Sequence, residues 1–465
     1  MGYLEGRLTY DRIDKYYMNL LHFNGAVPEE TKKFILENLE YMKTTSLEKR
    51  KDDTYWDQVY NLYKQFQGMV DGYNPKVDKE KQLSYVEFQM MNSYGDYGDI
   101  ETKNKTNRPD FSKMTSEEKI DYISIHNHCS SLIKVAADLG EIWLGHNIWG
   151  SFGELTRIFK EYKFKSNTEF VKSNYIAFSS YPGTIASIDD FYILDSELYV
   201  IETTNTVYNT TLYDLLTPKS IFSSIRSVLA NRLSGNGREW GEIFARENSG
   251  TFNDQFQILD LNKIDLEKRK INEGALTIVE QIPGRVEIGD MTDVLKKGYW
   301  PNYNTPYFKV IRDLSGITEE IKKDPKIRLL DDYDSCVRAN IFRRDQANVN
   351  SIEDFKKILR FNEYATDPLS FGDPAFSLAS RYDLREGTKK KYCFGNIDVK
   401  LVSVKDTKEK KERSIYMIGG PTDDNQPSFD WTTTECPESK DWKPIGQPMK
   451  YNFGWVEYKT ALFKD

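Results

Sequence analysis

The sequence predicts an α+β protein, with a helical N-terminal portion packed onto a strand-rich body. Three observations carry that expectation. First, apolar residues recur at three- and four-residue spacings over Glu29–Met42 and Tyr55–Val70, with few Gly or Pro inside, as amphipathic helices require. Second, the character changes after Cys129 to short β-prone runs: Ser131–Ala136, Glu141–His146, Asp190–Leu194, Leu198–Glu202 and Phe256–Leu261. Ala275–Glu280 and Arg285–Gly289 form a further pair across a turn at Ile282-Pro283-Gly284. Third, helical stretches at Gly153–Tyr162 and Ser220–Leu233 fall between these runs, a mixture that argues for layers of helix and sheet.

Between the two halves, from Asn92 to about Lys119, the chain is polar and rich in Gly, Asp, Asn, Thr and Lys, including Tyr94-Gly95-Asp96-Tyr97-Gly98. It reads as a loop or exposed linker that ends just before Cys129. The expected organisation is an N-terminal fragment, 1–128, whose linker covers 92–128, and a body, 129–465, the two forming one structural unit. No internal repeat is present.

Composition narrows the function classes. The chain has 465 residues, 14% of them aromatic, which is ample for a packed interior. Its 64 basic and 72 acidic residues leave a net charge of −8, against a nucleic-acid partner. The mixed charge run Lys405–Arg413 reads as a solvated loop. No stretch approaches the roughly 18 uninterrupted apolar residues of a membrane span, so no transmembrane segment is expected. Four histidines without a Cys-x-x-Cys pair, and no Gly-rich phosphate loop, give no reason to expect a metal or a cofactor. Met1-Gly2-Tyr3-Leu4-Glu5-Gly6 lacks a basic-then-apolar leader, so no signal peptide is expected in this chain. Two sequons, at Asn104 and Asn209, are glycosylation sites only on a secretory route.

Cys129 carries the chemistry. Three of the four histidines lie near it, in Ile125-His126-Asn127-His128-Cys129-Ser130-Ser131-Leu132 and in Gly145-His146-Asn147-Ile148-Trp149. A thiol, an apolar run, a turn and a second apolar run ending in His-Asn resemble a buried strand pair bearing a nucleophile and its polar partners. A thiolate suits that role because a nearby base can generate it near neutral pH. Taken alone, Cys129 reads more simply as a small core residue. Cys336, Cys393 and Cys436 then allow at most one disulfide among themselves.

Motifs along nearly the whole chain shift that balance. They include Gly2-Tyr3-Leu4-Glu5-Gly6, Cys129-Ser130-Ser131-Leu132-Ile133-Lys134, Gly145-His146-Asn147, Phe178-Ser179-Ser180-Tyr181-Pro182-Gly183-Thr184 and Glu202-Thr203-Thr204. Ala230-Asn231-Arg232-Leu233, Asn248-Ser249-Gly250-Thr251, Glu280-Gln281-Ile282-Pro283-Gly284, Ile341-Phe342-Arg343-Arg344 and Gly395-Asn396-Ile397-Asp398-Val399-Lys400 follow in order. In these the chain resembles the phospholipase B-like (lamina ancestor) family of N-terminal-nucleophile hydrolases. The resemblance implies an αββα sandwich and autocatalytic cleavage between His128 and Cys129. The Cys129 thiol would attack the His128 carbonyl, an N-to-S shift would give a thioester, and water would resolve it. The freed α-amine, with an unperturbed pKa of about 7.7–8.0, would then serve as base for its own thiol.

By the same resemblance His146 would orient the thiolate or the substrate carbonyl. Thr204 would stand on the oxyanion side and Asn304 would donate to the oxyanion, with Asn253 in reserve. Arg338, whose fork can hold carboxylates or phosphates, would be the distal arginine. The chain departs from the family where a Cys-x-x-Cys pair gives way to Phe371-Gly372-Asp373-Pro374, and where Cys336 replaces Pro ahead of Arg338. The implied activity is hydrolysis of fatty-acyl esters of (lyso)phospholipids through a Cys thioester, in a lysosomal or secreted protein. An amidase acting on N-acyl amides or peptides, and a lipid-binding protein without turnover, are the alternatives.

Overall fold

The computed structural model describes every residue except 26, 127–128, 166–168, 189–190, 411–412, 441 and 461–465. Two antiparallel sheets form its centre. The first runs edge to edge through Tyr299–Asn302, Cys129–Val135, Ile142–Ser151, Phe394–Ser403, Ser414–Gly419 and Val456–Lys459. The second has seven strands: Arg285–Asp290, Leu276–Ile282, Asp254–Asp260, Leu198–Thr204, Phe191–Leu194, Tyr175–Ser180 and Ile158–Lys163. The expected α+β class is observed, and the strands read from β-propensity and turn residues lie within a few residues of their predicted bounds.

Alternation along the strands dictates the layers. Ile133, Val135, Ile142 and Leu144 of the first sheet share one buried cluster with Ala177, Ile193, Ile201 and Ile278 of the second, so the sheets face each other. The other face of the first sheet, with Leu132, Trp143, Val399 and Leu401, packs on the helices Val337–Asp345 and Ile352–Leu359 through Phe342 and Phe355. The outer face of the second, with Phe178, Val200 and Ile258, packs on Ala230, Trp240 and Phe244 of Ser223–Leu233 and Gly237–Phe244.

The N-terminal helices extend that last layer. The two predicted from periodicity are present as Glu29–Lys49 and Thr54–Tyr73, the second opened by Asp53, whose side chain accepts from the Tyr55 N–H at 2.9 Å. Ile13, Tyr16, Trp56, Leu62 and Phe66 pack with Tyr181, Ile185, Ile225 and Leu229 of the body. The first helix, Gly2–Leu8, presses backbone to backbone on Thr54–Tyr73. A Cβ on Gly6 would stand 2.1 Å from the Met69 carbonyl oxygen, and one on Gly72 would stand 2.1 Å from that of Tyr3. This close approach sets Glu5 against Lys160, at 2.6 Å, and against the Tyr162 hydroxyl, at 2.6 Å.

Three sequence readings are corrected. The supposed linker from Asn92 to Lys119 holds a helix at Tyr94–Lys103, 3-10 turns at Lys105–Asn107 and Phe111–Lys113, and the start of the helix Ser116–His126. Its polar residues turn inward: buried Asp96 accepts from the Ser223 N–H (3.0 Å), the Ser224 hydroxyl (2.8 Å) and the Thr251 hydroxyl (2.5 Å). Gly153–Tyr162 is a 3-10 turn followed by the strand Ile158–Lys163, because β-prone Ile158, Phe159 and Tyr162 outweigh a loose helical spacing. The run 405–413 includes most of a helix, Val404–Lys410, and ends in buried Arg413, whose guanidinium donates to the Leu194 carbonyl at 2.6 Å. A disulfide joins Cys393 to Cys436, leaving Cys129 and Cys336 as buried thiols.

Gly6→Ala is expected to destabilise the protein by about 1–3 kcal/mol, the cost of overpacking a close contact. Denaturant unfolding should show a lower midpoint with an unchanged slope.

Candidate active site

Cys129 opens a strand that is buried along its whole length, and its own exposure is 1%. The registers pair Cys129 with Ile148 and Ser131 with His146, while His146 is also opposite Lys400 on its other side. Directly opposed residues share a face, so Cys129, Ser131, His146 and Lys400 all point between the sheets. There the Cys129 thiol, an imidazole nitrogen of His146 and a carboxylate oxygen of Glu202 lie within 4.8 Å of one another.

The main chain of Cys129 is held from two sides. Its N–H donates to Asn304 Oδ1 at 3.2 Å, and its carbonyl accepts from the Arg338 guanidinium at 2.5 Å. Arg338 also donates to Asn304 Oδ1 (2.8 Å) and to the Tyr303 carbonyl (2.6 Å), and its plane lies 4.6 Å from the Trp149 ring centroid. Asn304 sits at φ +69°, a conformation that asparagine tolerates better than most side chains, and its Nδ2 donates to the Thr204 carbonyl at 2.8 Å. In this chain Asn304 therefore anchors the main-chain nitrogen of Cys129. The Arg338 fork grips the Cys129 and Tyr303 carbonyls, the Asn304 amide oxygen and, at 3.3 Å, the Ser130 hydroxyl.

The Gly-His-Asn motif explains itself locally. A Cβ on Gly145 would stand 2.4 Å from Leu359 Cδ1, so glycine lets the helix Ile352–Leu359 lie on the strand. Asn147 accepts from the Ser130 N–H at 2.9 Å and donates to the Leu359 and Leu378 carbonyls, which locks the strand in place around His146.

The remaining expected residues are spread wider. Thr204 and Asn253 line a cavity of about 130 Å³ with Asn205, Asp99, Tyr213 and His126. Asn253 Nδ2 is engaged by Asp99 (3.0 Å) and the Gly250 carbonyl (2.9 Å). His128, on the far side of the expected cleavage bond, lies outside the described residues. Asn104 donates to Glu30 at 2.7 Å and Asn209 to the Leu314 carbonyl at 3.2 Å, both half-buried on the surface.

Sequence reasoning assigned no role to Glu202, Asp398, Lys400 or Arg157. Asp398 takes Lys400 at 2.6 Å and Arg157 at 2.7 Å. The available signal was a charge inside an apolar strand: Glu202 in Leu198–Thr204, and Asp398 with Lys400 in Phe394–Ser403. Among the described residues, two groups bring metal-type donors together. One is Cys129, His146 and Glu202; the other is Glu438 with the disulfide-bonded Cys393 and Cys436. The first matches the number of protein ligands at an open zinc site, though not the His-rich or Cys-rich sets such sites use.

This protein thus has two facing sheets, with a buried cysteine held by its main chain between them and polar groups near its sulfur. The family model for phospholipase B matches residues 1–458. Phospholipase B-like protein B of Dictyostelium discoideum is 40% identical over 99% of this chain and 80% of its own length. Phospholipase B-like 1 of Rattus norvegicus is 36% identical over 99% and 81%, and phospholipase B of Crotalus adamanteus 34% over 99% and 82%. The chain belongs to the phospholipase B-like family of hydrolases. Among the described residues, no helix is long and apolar enough to cross a membrane.

Burial raises the Asp99 carboxyl to about 7, against hydrogen bonds from Tyr213, the Phe252 N–H and Asn253 that favour its charged form. The unfolded value is about 3.9. Asp99 therefore contributes stability that is complete below the unfolded value and is lost as pH rises through about 7. Asp99→Asn is expected to flatten the fall in melting temperature over that window, as thermal unfolding across a pH series would show.

Proposed function

We propose that this protein is a cysteine N-terminal-nucleophile hydrolase that cuts itself before Cys129 and then hydrolyses fatty-acyl esters of (lyso)phospholipids. The observation that carries the reading is the separate grip on Cys129: Asn304 on its nitrogen and Arg338 on its carbonyl, with His146 and Glu202 beside its sulfur. Once the preceding bond is cut, the nitrogen held by Asn304 becomes the α-amine. A guanidinium that shares Asn304 Oδ1 disfavours a second positive charge there, so the amine stays neutral at a lower pH and can take the thiol proton.

The steps balance simply. The Cys129 sulfur bonds to the acyl carbon and the alcohol leaves with the proton returned by the amine. Water then attacks the thioester, restoring the thiol and releasing the fatty acid. The same chemistry would cleave an amide, and the relatives' names, phospholipase B and phospholipase B-like, favour the ester. The Cys393–Cys436 disulfide supports a lysosomal or secreted location, where oxidised cysteines persist.

The first test is intact mass with N-terminal sequencing before and after incubation at mildly acidic pH. A fragment beginning Cys-Ser-Ser-Leu-Ile, absent from Cys129→Ala, is the expected result; a chain that stays whole and inactive under all conditions overturns the reading. Turnover of phosphatidylcholine but not of acyl amides supports the esterase, and the reverse makes the protein an amidase. Asn304→Ala should slow hydrolysis by about 100-fold, the cost of a nucleophile misplaced by an ångström, in single-turnover assays of cleaved protein.

A further inference from the structure

Arg232, in the motif Ala230-Asn231-Arg232-Leu233, has no part in the Cys129 site. It lies in the last turn of the helix Ser223–Leu233 and is 4% exposed. Its guanidinium donates to Gln65 Oε1 at 3.2 Å and lies 4.1 Å from the Phe164 ring centroid, and its Nε is buried without a hydrogen-bond partner. An amide oxygen and a ring face leave a buried cation poorly neutralised, and burial accordingly lowers its pKa to about 10.

That cation borders a cavity of about 640 Å³ between the helices Gly2–Leu8 and Thr54–Tyr73 and the residues Phe164 and Lys165 that follow the strand Ile158–Lys163. Gln65, Phe164, Lys64, Lys165 and Asp57 share the lining. Asp57 is paired with Arg50 at 2.9 Å, so its charge is already answered from outside the cavity. Three cations then stand around one compensated carboxylate, which draws small anions toward Arg232.

We propose that this cavity binds an anion bearing one phosphate or carboxylate group, gripped by the Arg232 fork, with Lys64 and Lys165 at its rim. The planar fork matches both groups with paired hydrogen bonds, and Phe164 supplies an apolar wall for whatever the anion is attached to. None of these residues touches Cys129, so the site stands whether or not the esterase reading does.

The test uses Gln65→Glu, which places a carboxylate where Gln65 Oε1 already meets Arg232 and so fills the site from within. Thermal unfolding of the whole chain would be followed against inorganic phosphate, with sodium chloride holding ionic strength constant. A saturable rise in melting temperature is expected for the wild type. Gln65→Glu should start from a higher melting temperature and bind phosphate at least about tenfold more weakly, a loss that one charge-assisted hydrogen bond accounts for. Lys165→Ala, an exposed change that leaves the fold intact, should weaken binding several-fold. Cosedimentation with vesicles of phosphatidylcholine and phosphatidate, lost in Gln65→Glu, would identify the phosphate as a lipid headgroup. A wild type with no saturable response to either probe, or a Gln65→Glu protein that responds as the wild type does, overturns the proposal.

Discussion

The buried guanidinium of Arg338 is the interaction on which the candidate active site depends. Its hydrogens reach the Cys129 carbonyl, the Tyr303 carbonyl and Asn304 Oδ1, and its face lies on Trp149. It thereby ties together the first residue of one strand, the turn after another and a helix that packs on the outside of the sheet. A cation taken out of water at this cost is stable only while every one of those oxygens remains in place. The cation and the placement of Cys129 therefore enforce each other. Asn304, in its left-handed conformation, is the shared corner: one amide oxygen serves both the arginine and the Cys129 nitrogen.

Around that corner, many of the sequence's polar motifs are scaffolding. Glu280 accepts from Gln255 at 2.5 Å and from the Phe308 N–H at 3.0 Å, and also from the Tyr307 N–H, holding the turn that leads from Asn304. Asp331 accepts from the Tyr208 hydroxyl at 2.6 Å and the Thr206 hydroxyl at 3.1 Å just beyond Thr204. Burial pushes Glu280 to about 7 and Asp331 to about 6, so their environments favour the neutral acid. Buried hydrogen-bonded groups of this kind define one arrangement of loops and exclude close competitors, which an apolar core alone does less well.

Much of the fold was legible because it follows from local periodicity. The helices Glu29–Lys49 and Thr54–Tyr73 and most strands after Cys129 carry their patterns in the sequence. The errors arose where a distant partner decides the outcome. Asp96 looks like a loop residue until Ser223, Ser224 and Thr251 supply its hydrogen bonds across more than a hundred residues of chain. In the site, Cys129, His146, Asn304 and Arg338 were readable through motifs, but what each touches was not. Glu202 stood out only as a charge within an apolar strand, since nothing along the chain announces that its carboxylate comes within 4.8 Å of a sulfur 73 positions earlier. The Asn253 amide likewise turns toward Asp99, a partner set by tertiary packing.

The contacts between the N-terminal helices and the body have a kinetic meaning. Glu5 is set against Lys160, Asp53 against Arg246 and Asp96 against Ser223, so residues ahead of Cys129 are bound to those behind it at several separate points. A molecule nicked at residue 129 would stay assembled as a two-chain body. Once denatured, however, its halves would have to find each other by diffusion, and recovery would become second order in protein. The chain would fold efficiently once, as a single strand, and its later persistence would rest on the height of the unfolding barrier rather than on reversible equilibrium.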